Sequence, residues 1–285
     1  MVAPLRIVVV KRPEEAFLGL YTGSTESQDL GWTHPPNLEV ASTQHRQLVS
    51  LLHAAGARTL SLPENSRTGI DSLYAHDPAL ITDAGAVVFQ MGKVARRGEG
   101  PAMGQVFKEW GIPILGVVDG DATAEGGDMI WLDSRTLIVG RGFRTNRQGI
   151  ERLSELLRPL GVTVIPIPLP YWNGPEDVLH LMSFISLLDS DLAVVYRRLL
   201  PVPLYELLRE REVDLIDVPE EEYMSLGCNV LAVAPRQLVA VSGNPVTHSR
   251  LRSAGCTISE FDGSELCVPG AGGPTCLTRP VLRAG

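Results

Sequence analysis

Five times along the chain a helix-like stretch gives way to a short apolar strand and then to a sharp polar turn. The junctions are HAAGARTLSLP at Gly56, KEWGIPILGV at Gly111, RPLGVTVIPIP at Gly161, REREVDLIDVP at Glu212 and RSAGCTISEFD at Gly255. Their spacing of roughly 50 residues is a period expected of repeated architectures. Four strand pairs stand out between the junctions, at 79–90, 129–140, 181–196 and 229–243. Each is two apolar, β-rich runs joined by turn formers such as Asp-Ala-Gly or Asp-Ser-Arg, which is a hairpin signal. Helices follow them. Asn146 is positioned to cap RQGIERLSELLRPL, in which Ile150, Leu153, Leu156 and Leu157 recur at helical spacing. Thr43 is read as the cap of QHRQLVSLLHAAG, which ends at Gly56. LRIVVV, near the N-terminus, reads as the first strand.

The repeating unit is therefore strand, strand, helix, strand. Five such units predict an α/β ring with helices outside and a central pocket. An open α/β sheet uses the same elements and is the competing arrangement. The whole chain, residues 1–285, is expected to form one catalytic domain. Residues 18–37 show no helix or strand period and carry Gly, Ser, Thr and paired Pro. A loop of that length is either a lid or plain surface.

Equivalent positions in a ring converge on its axis. Ahead of the strand pairs sit Asp77, then Glu125 with Asp128, then His180, Cys228 and Cys276. Carboxylates hold a cation, histidine moves protons and cysteine attacks carbon. Cys276 lies in PGAGGPTCLTRP, where glycines allow close backbone approach to a ligand and a strand from Leu277 would fix the thiol. Cys228, in LGCNV, is read as core. The two glycines of EGGD form a tight turn able to aim Glu125 and Asp128 inward, and Pro78 biases Asp77 toward an extended conformation. Arg96 and Arg144 offer planar forks for a carboxylate, whereas Arg97 reads as surface charge.

Composition narrows the field. The 285 residues are 44% hydrophobic and 20% charged, as in an ordinary globule with a sizeable core. A formal net charge of −8 argues against nucleic acid or an anionic membrane as partner. No apolar run approaches a bilayer span, and the expected compartment is the cytosol. The four cysteines are expected to be free thiols, since there is no secretion signal and no CxxC. Neither HExxH nor a phosphate-binding glycine loop occurs, so no metal or organic cofactor is expected.

LYAHDPAL, ARRGE, EGGD, GFRTNRQG, VLHL and GGPTCLT occur in the order found in the dimethylarginine dimethylaminohydrolase family. The chain resembles that family over essentially its whole length. The family belongs to the guanidino-group-modifying superfamily, with arginine deiminases and amidinotransferases. The resemblance implies a five-bladed α/β propeller, or pentein. It implies Cys276 as nucleophile and His180 as general acid and base, with Glu125 and Asp77 gripping a guanidinium. It assigns Asp71 to the amino-acid end of the substrate or to the histidine. Arg96 and Arg144 would take the substrate carboxylate, with Leu18 and Asp128 as further binding positions. The implied reaction is hydrolysis of a guanidino amino acid, through a thiouronium on Cys276, to a ureido product and an amine. Three departures leave the substrate open: His76 where the family usually has an acid, HLM in place of HLK, and FQMGKVARRGE without the proline-rich form of many relatives. An amidinotransferase would use the same Cys and His, and a binding protein would have no use for the thiol. The sequence leaves the assembly open, a homodimer among the options.

Overall fold

A computed structural model describes residues 1–17 and 30–284. Leu18, and residues 19–29 of the segment proposed as a lid, lie outside the described residues.

The strands form five three-stranded sheets. In the second sheet β3 (Ala79–Thr82) and β4 (Gly85–Phe89) form the hairpin, and β5 (Ile114–Val118) pairs parallel to β4. A parallel partner needs a crossover, which the helix Glu99–Glu109 supplies. The pattern repeats with β6 (Met129–Asp133), β7 (Thr136–Arg141) and β8 (Thr163–Pro168), crossed by the helix Arg147–Leu157. It repeats again with β9 (Ile185–Asp189), β10 (Leu192–Val195) and β11 (Asp214–Asp217), crossed by Val202–Glu210. The next unit is β12 (Leu231–Ala234), β13 (Gln237–Val241) and β14 (Thr257–Phe261), crossed by Pro245–Ser253.

The first sheet closes the chain on itself. Its middle strand β1 (Leu5–Lys11) pairs parallel with β2 (Arg58–Leu62) and antiparallel with the last strand, β15 (Arg279–Arg283). The helix Leu38–Ala54 is its crossover. Each central strand is apolar on both faces because helices cover one side and neighbouring sheets the other; Val8, Val9, Val87, Ile138, Val194 and Val239 are all buried.

What makes the five sheets a ring is a closed circuit of hydrogen bonds between the turns that precede the strand pairs. Gly126 and Gly127 N–H donate to the Asp77 carbonyl and Oδ1 at 2.9 and 2.9 Å. Leu181 N–H donates to Asp128 Oδ1 at 3.0 Å. Ser186 Oγ donates to the Cys228 carbonyl at 2.7 Å. Thr275 N–H donates to Asn229 Oδ1 at 3.1 Å. His76 N–H donates to the Cys276 carbonyl at 3.0 Å, returning to the first turn. The ring is thus the arrangement adopted, and the open sheet is not.

Three local expectations change. The helix read from Thr43 begins at Leu38, capped by the Asn37 side chain on Val40 N–H, and Thr43 lies inside it, donating to the Glu39 carbonyl at 3.0 Å. The buried stripe Ala41, His45, Leu48 and Leu52 starts a turn earlier than the Thr43 cap allowed. The final strand starts at Arg279, since Leu277 N–H and Thr278 N–H bond back to Gly273 and Thr275 carbonyls in a turn. The glycines before Cys276 approach protein as well as the cleft. A Cβ on Gly272 would lie 2.2 Å from the Tyr74 ring, and one on Gly273 would lie 2.6 Å from Asn229. The Asn146 cap is as read, accepting from Gly149 N–H at 2.8 Å.

Candidate active site

The ring axis opens into a cleft of about 530 Å³, counting the water at its mouth. Asp71, Asp77, Arg96, Arg144, His180 and Cys276 line it. Glu125 and Asp128 stand behind its wall, fully buried.

Cys276 ends the turn before β15 and is the one cysteine with an exposed portion; Cys228, Cys256 and Cys267 are buried, and all four are free. Cys228 is core, as its sequence context suggested, and its neighbour Asn229 takes the axial place. Asn229 Nδ2 donates to Cys276 Sγ at 3.1 Å while its Oδ1 fixes Thr275. Burial, with the Asp77 charge, pushes the Cys276 thiol up to about 11 despite the Asn229 hydrogen bond and the Arg96 charge. Without a bound cationic ligand the thiol is therefore protonated at neutral pH. Iodoacetamide should label Cys276 before the other three cysteines, slowly at pH 7, with the rate rising roughly tenfold per pH step toward 11. Peptide mapping of a pH series checks this, and prior labelling of a buried cysteine would contradict it.

His180 stands ahead of β9, with its N–H donating to Ser183 Oγ at 3.0 Å. Its ring packs on Gly127, where a Cβ would sit 2.4 Å from Nδ1, so the second glycine of EGGD makes room for the imidazole. Nε2 lies 2.7 Å from Glu125 Oε2. Burial alone would lower the His180 pKa; Asp77, Asp128 and the Glu125 hydrogen bond outweigh it and raise it to about 9. The imidazole is therefore a cation at neutral pH, a loaded acid.

Glu125 is the hub behind it. Oε1 accepts from Lys93 N–H at 3.0 Å, and Oε2 accepts from His180 and from Arg144 Nη1 at 3.3 Å. Burial opposes its charge, but His180, Arg144 and Arg96 hold the carboxyl well below its usual range. Asp128 supports the turn through Leu181 N–H, and burial pushes it up to about 6.

Asp77 is held on both oxygens, Oδ1 by Gly127 N–H and Oδ2 by Arg96 Nη1 at 2.7 Å. Burial opposes its charge too, yet Arg96 and His180 keep it below the usual carboxylate range. Arg96 also forks onto Glu99, at 2.9 Å through Nε and 2.8 Å through Nη2, and donates to the Asp71 and Tyr74 carbonyls. The sequence reading had Arg96 free for a ligand carboxylate; here most of its donors serve the cleft wall. Arg97 is exposed, as expected. Asp71 accepts from Trp32 Nε1 at 2.8 Å and from Lys93 Nζ at 2.6 Å.

His76 does not line the cleft. It is buried, Nδ1–H donates to the Thr278 carbonyl at 2.7 Å, and burial beside Arg279 lowers its pKa to about 3. The sequence reading missed Lys93, Asn229 and Glu99. Lys93 sits in FQMGKVARRGE, already marked as departing from relatives, and Asn229 adjoins a repeat-equivalent cysteine. No pattern marked Glu99 as the partner of Arg96. Asp77, Glu125 and His180 also bring one ligand atom each within 4.8 Å of one another, but ion pairs occupy all three.

The family model described as N,N dimethylarginine dimethylhydrolase, eukaryotic, matches residues 25–283. The chain belongs to that family. It is accordingly a hydrolase acting on amidine C–N bonds. Among curated proteins this family member is 29% identical over 248 residues to the uncharacterised protein YkgA of Bacillus subtilis, covering 87% of the chain and 82% of YkgA. It is 27% identical to an arginine deiminase of Listeria monocytogenes, covering 74% of the chain and 60% of that longer enzyme. Its fold matches that of the Pseudomonas aeruginosa dimethylarginine dimethylaminohydrolase, solved as a cysteine-to-serine variant with citrulline. The TM-score is 0.78 at 21% identity, over 97% of this chain and 99% of that one. Among the described residues no helix is long and apolar enough to cross a membrane.

Proposed function

We propose that the protein hydrolyses a guanidino-type amino acid, a methylated arginine or related compound, to a ureido product and an amine. The observation that carries this reading is the pairing of a thiol and an imidazolium across one cleft walled by carboxylates. A bound guanidinium adds positive charge beside the thiol and stabilises the thiolate, the thiol proton passing to solvent as the substrate binds. Cys276 Sγ then bonds to the guanidinium carbon. Collapse breaks the C–N bond, and the amine leaves with a proton from His180. The product of this half is a thiouronium on Cys276. Water attacks its carbon, gives a proton to His180, and the C–S bond breaks to release the ureido product and the thiolate. No step calls for another reactant.

Asp77 faces the cleft and is the carboxylate suited to the guanidinium. Glu125 is fully buried behind the wall, outside the cleft lining, and acts on the substrate through His180, as a positioning residue. Arg144, whose side chain makes a single hydrogen bond among the described residues, is freer than Arg96 to take the carboxylate. Release of ammonia or alkylamine from a panel of guanidino compounds tests the reading; no release from any of them would end it.

The Glu125→Gln variant separates its role from substrate binding. Loss of the carboxylate removes an interaction that raises the His180 pKa, so the acid form is lost at lower pH. The alkaline limb of kcat/KM, which reports the free enzyme and is expected near 9 in the parent, should move toward neutral, with kcat reduced roughly 100-fold above it and KM little changed. A large rise in KM with an unmoved limb would instead place Glu125 on the substrate.

A further inference from the structure

The ammonium of Lys93 occupies a socket with a particular chemistry. Nζ donates to Asp71 Oδ2 at 2.6 Å and to the Leu30 carbonyl at 2.5 Å, inside the cleft. A carboxylate and a backbone carbonyl converging on one point are what the α-ammonium of an amino acid would require. That place is taken by the protein itself.

The occupancy is built rather than incidental. Lys93 N–H is fixed on Glu125 Oε1, and its side chain is only 22% exposed. The other Asp71 oxygen is held by Trp32, whose ring stacks on Tyr74 with centroids 5.8 Å apart. Both Asp71 oxygens are therefore engaged, the one facing the socket by Lys93 itself. A second ammonium beside Lys93 would meet like charge at close range. Asp177, at the mouth, has both oxygens engaged, by Asn173 Nδ2 at 2.7 Å and Val178 N–H at 2.8 Å, and Glu176 beside it is exposed, so neither reproduces the half-buried carboxylate-and-carbonyl socket. Lys93 uses two of its three donors, and the third remains for an anion.

We propose that the preferred substrate is a guanidino acid without a free α-ammonium, an ω-guanidinocarboxylic acid, with Lys93 filling the ammonium subsite and pairing with the substrate carboxylate. This rests on the hydrolase reading and takes the preferred substrate from the related compounds of that reading, the des-amino relatives, rather than from the amino acids themselves. An amino-acid substrate has to displace Lys93 from Asp71, which costs binding; the des-amino compound does not.

The test is a matched pair, 5-guanidinopentanoate and L-arginine, which differ only in the α-ammonium. Wild-type protein should favour 5-guanidinopentanoate by at least about tenfold in kcat/KM. Lys93→Ala should reverse the order, raising KM for the des-amino acid and lowering it for L-arginine. A merely structural lysine would depress both in parallel. Lys93→Gln, which retains length and a donor without the charge, should fall between. Preference of the wild type for L-arginine overturns the proposal, whatever the variants do, and so does a parallel loss in Lys93→Ala. Turnover of neither compound, nor of their Nω,Nω-dimethyl forms, overturns the hydrolase reading and this inference with it.

Discussion

Cys276→Ser is expected to fold as the parent does and to release no product. The exchange replaces one partly exposed atom. A hydroxyl can still accept from Asn229 Nδ2, now 3.1 Å from sulfur, and the Asn229 bond to Thr275 N–H is untouched. No buried cavity opens, so circular dichroism and Tm should stay near parental values. Chemistry changes far more. A serine hydroxyl ionises much less readily than a thiol, and His180, the imidazole lining the same cleft, is held protonated by Asp77, Asp128 and Glu125. Nothing in the cleft takes the serine proton. Losing a nucleophile of this kind typically lowers kcat by about 10⁴- to 10⁶-fold. The variant should still bind substrate, which calorimetry can measure. Turnover at parental rates in Cys276→Ser would remove Cys276 from the reaction and with it the thiouronium.

Much of the architecture was legible because it is local. Short continuous apolar, β-rich runs with Asp-Ala-Gly or Asp-Ser-Arg turns specify hairpins, and a parallel third strand requires a helix between. Repetition then turns a list of elements into a ring, and a ring brings the positions ahead of the strand pairs together. That is why Cys276, His180 and Asp77 could be placed in one cleft from the chain alone. What could not be read is who pairs with whom across the axis. Arg96 and Asp77 are 19 positions apart, and Asn229 and Cys276 are 47 apart. An arginine suited to a ligand carboxylate is equally suited to Asp77 and Glu99, and only packing decides. Lys93 was hidden for the same reason, because a lysine in a loop looks solvated until Asp71 and Leu30 are seen around its ammonium. Thr43 misled through local chemistry: two cap-forming residues, Asn37 and Thr43, preceded apolar runs, and the buried face selected the earlier one.

His180→Gly is expected to bind substrate and fail to turn it over. In the proposed reaction the imidazole serves two proton transfers, to the departing amine and from the hydrolytic water, and a group with a pKa of about 9 is charged for the first of these at neutral pH. Losing the proton donor leaves a poor leaving group, and losing the base leaves the thiouronium without an activated water. The contact proposed for the guanidinium lies elsewhere, on Asp77, so affinity should change by less than about tenfold while kcat falls by roughly 10²- to 10⁴-fold. A substrate with a good leaving group, which does not need the proton, should pass the first half and stop, leaving an adduct on Cys276 visible in the intact-protein mass. The glycine also vacates the space against Gly127 and unpairs Glu125, so some stability should be lost, and folding is checked beside the assay. His76 is the control. It is buried against Thr278, neutral at working pH and off the cleft, so any effect of His76→Ala should be on stability rather than on the shape of the pH profile. Normal turnover in His180→Gly, together with an inactive but folded His76→Ala, would transfer the acid–base role to His76 and break the link drawn between Glu125, His180 and Cys276.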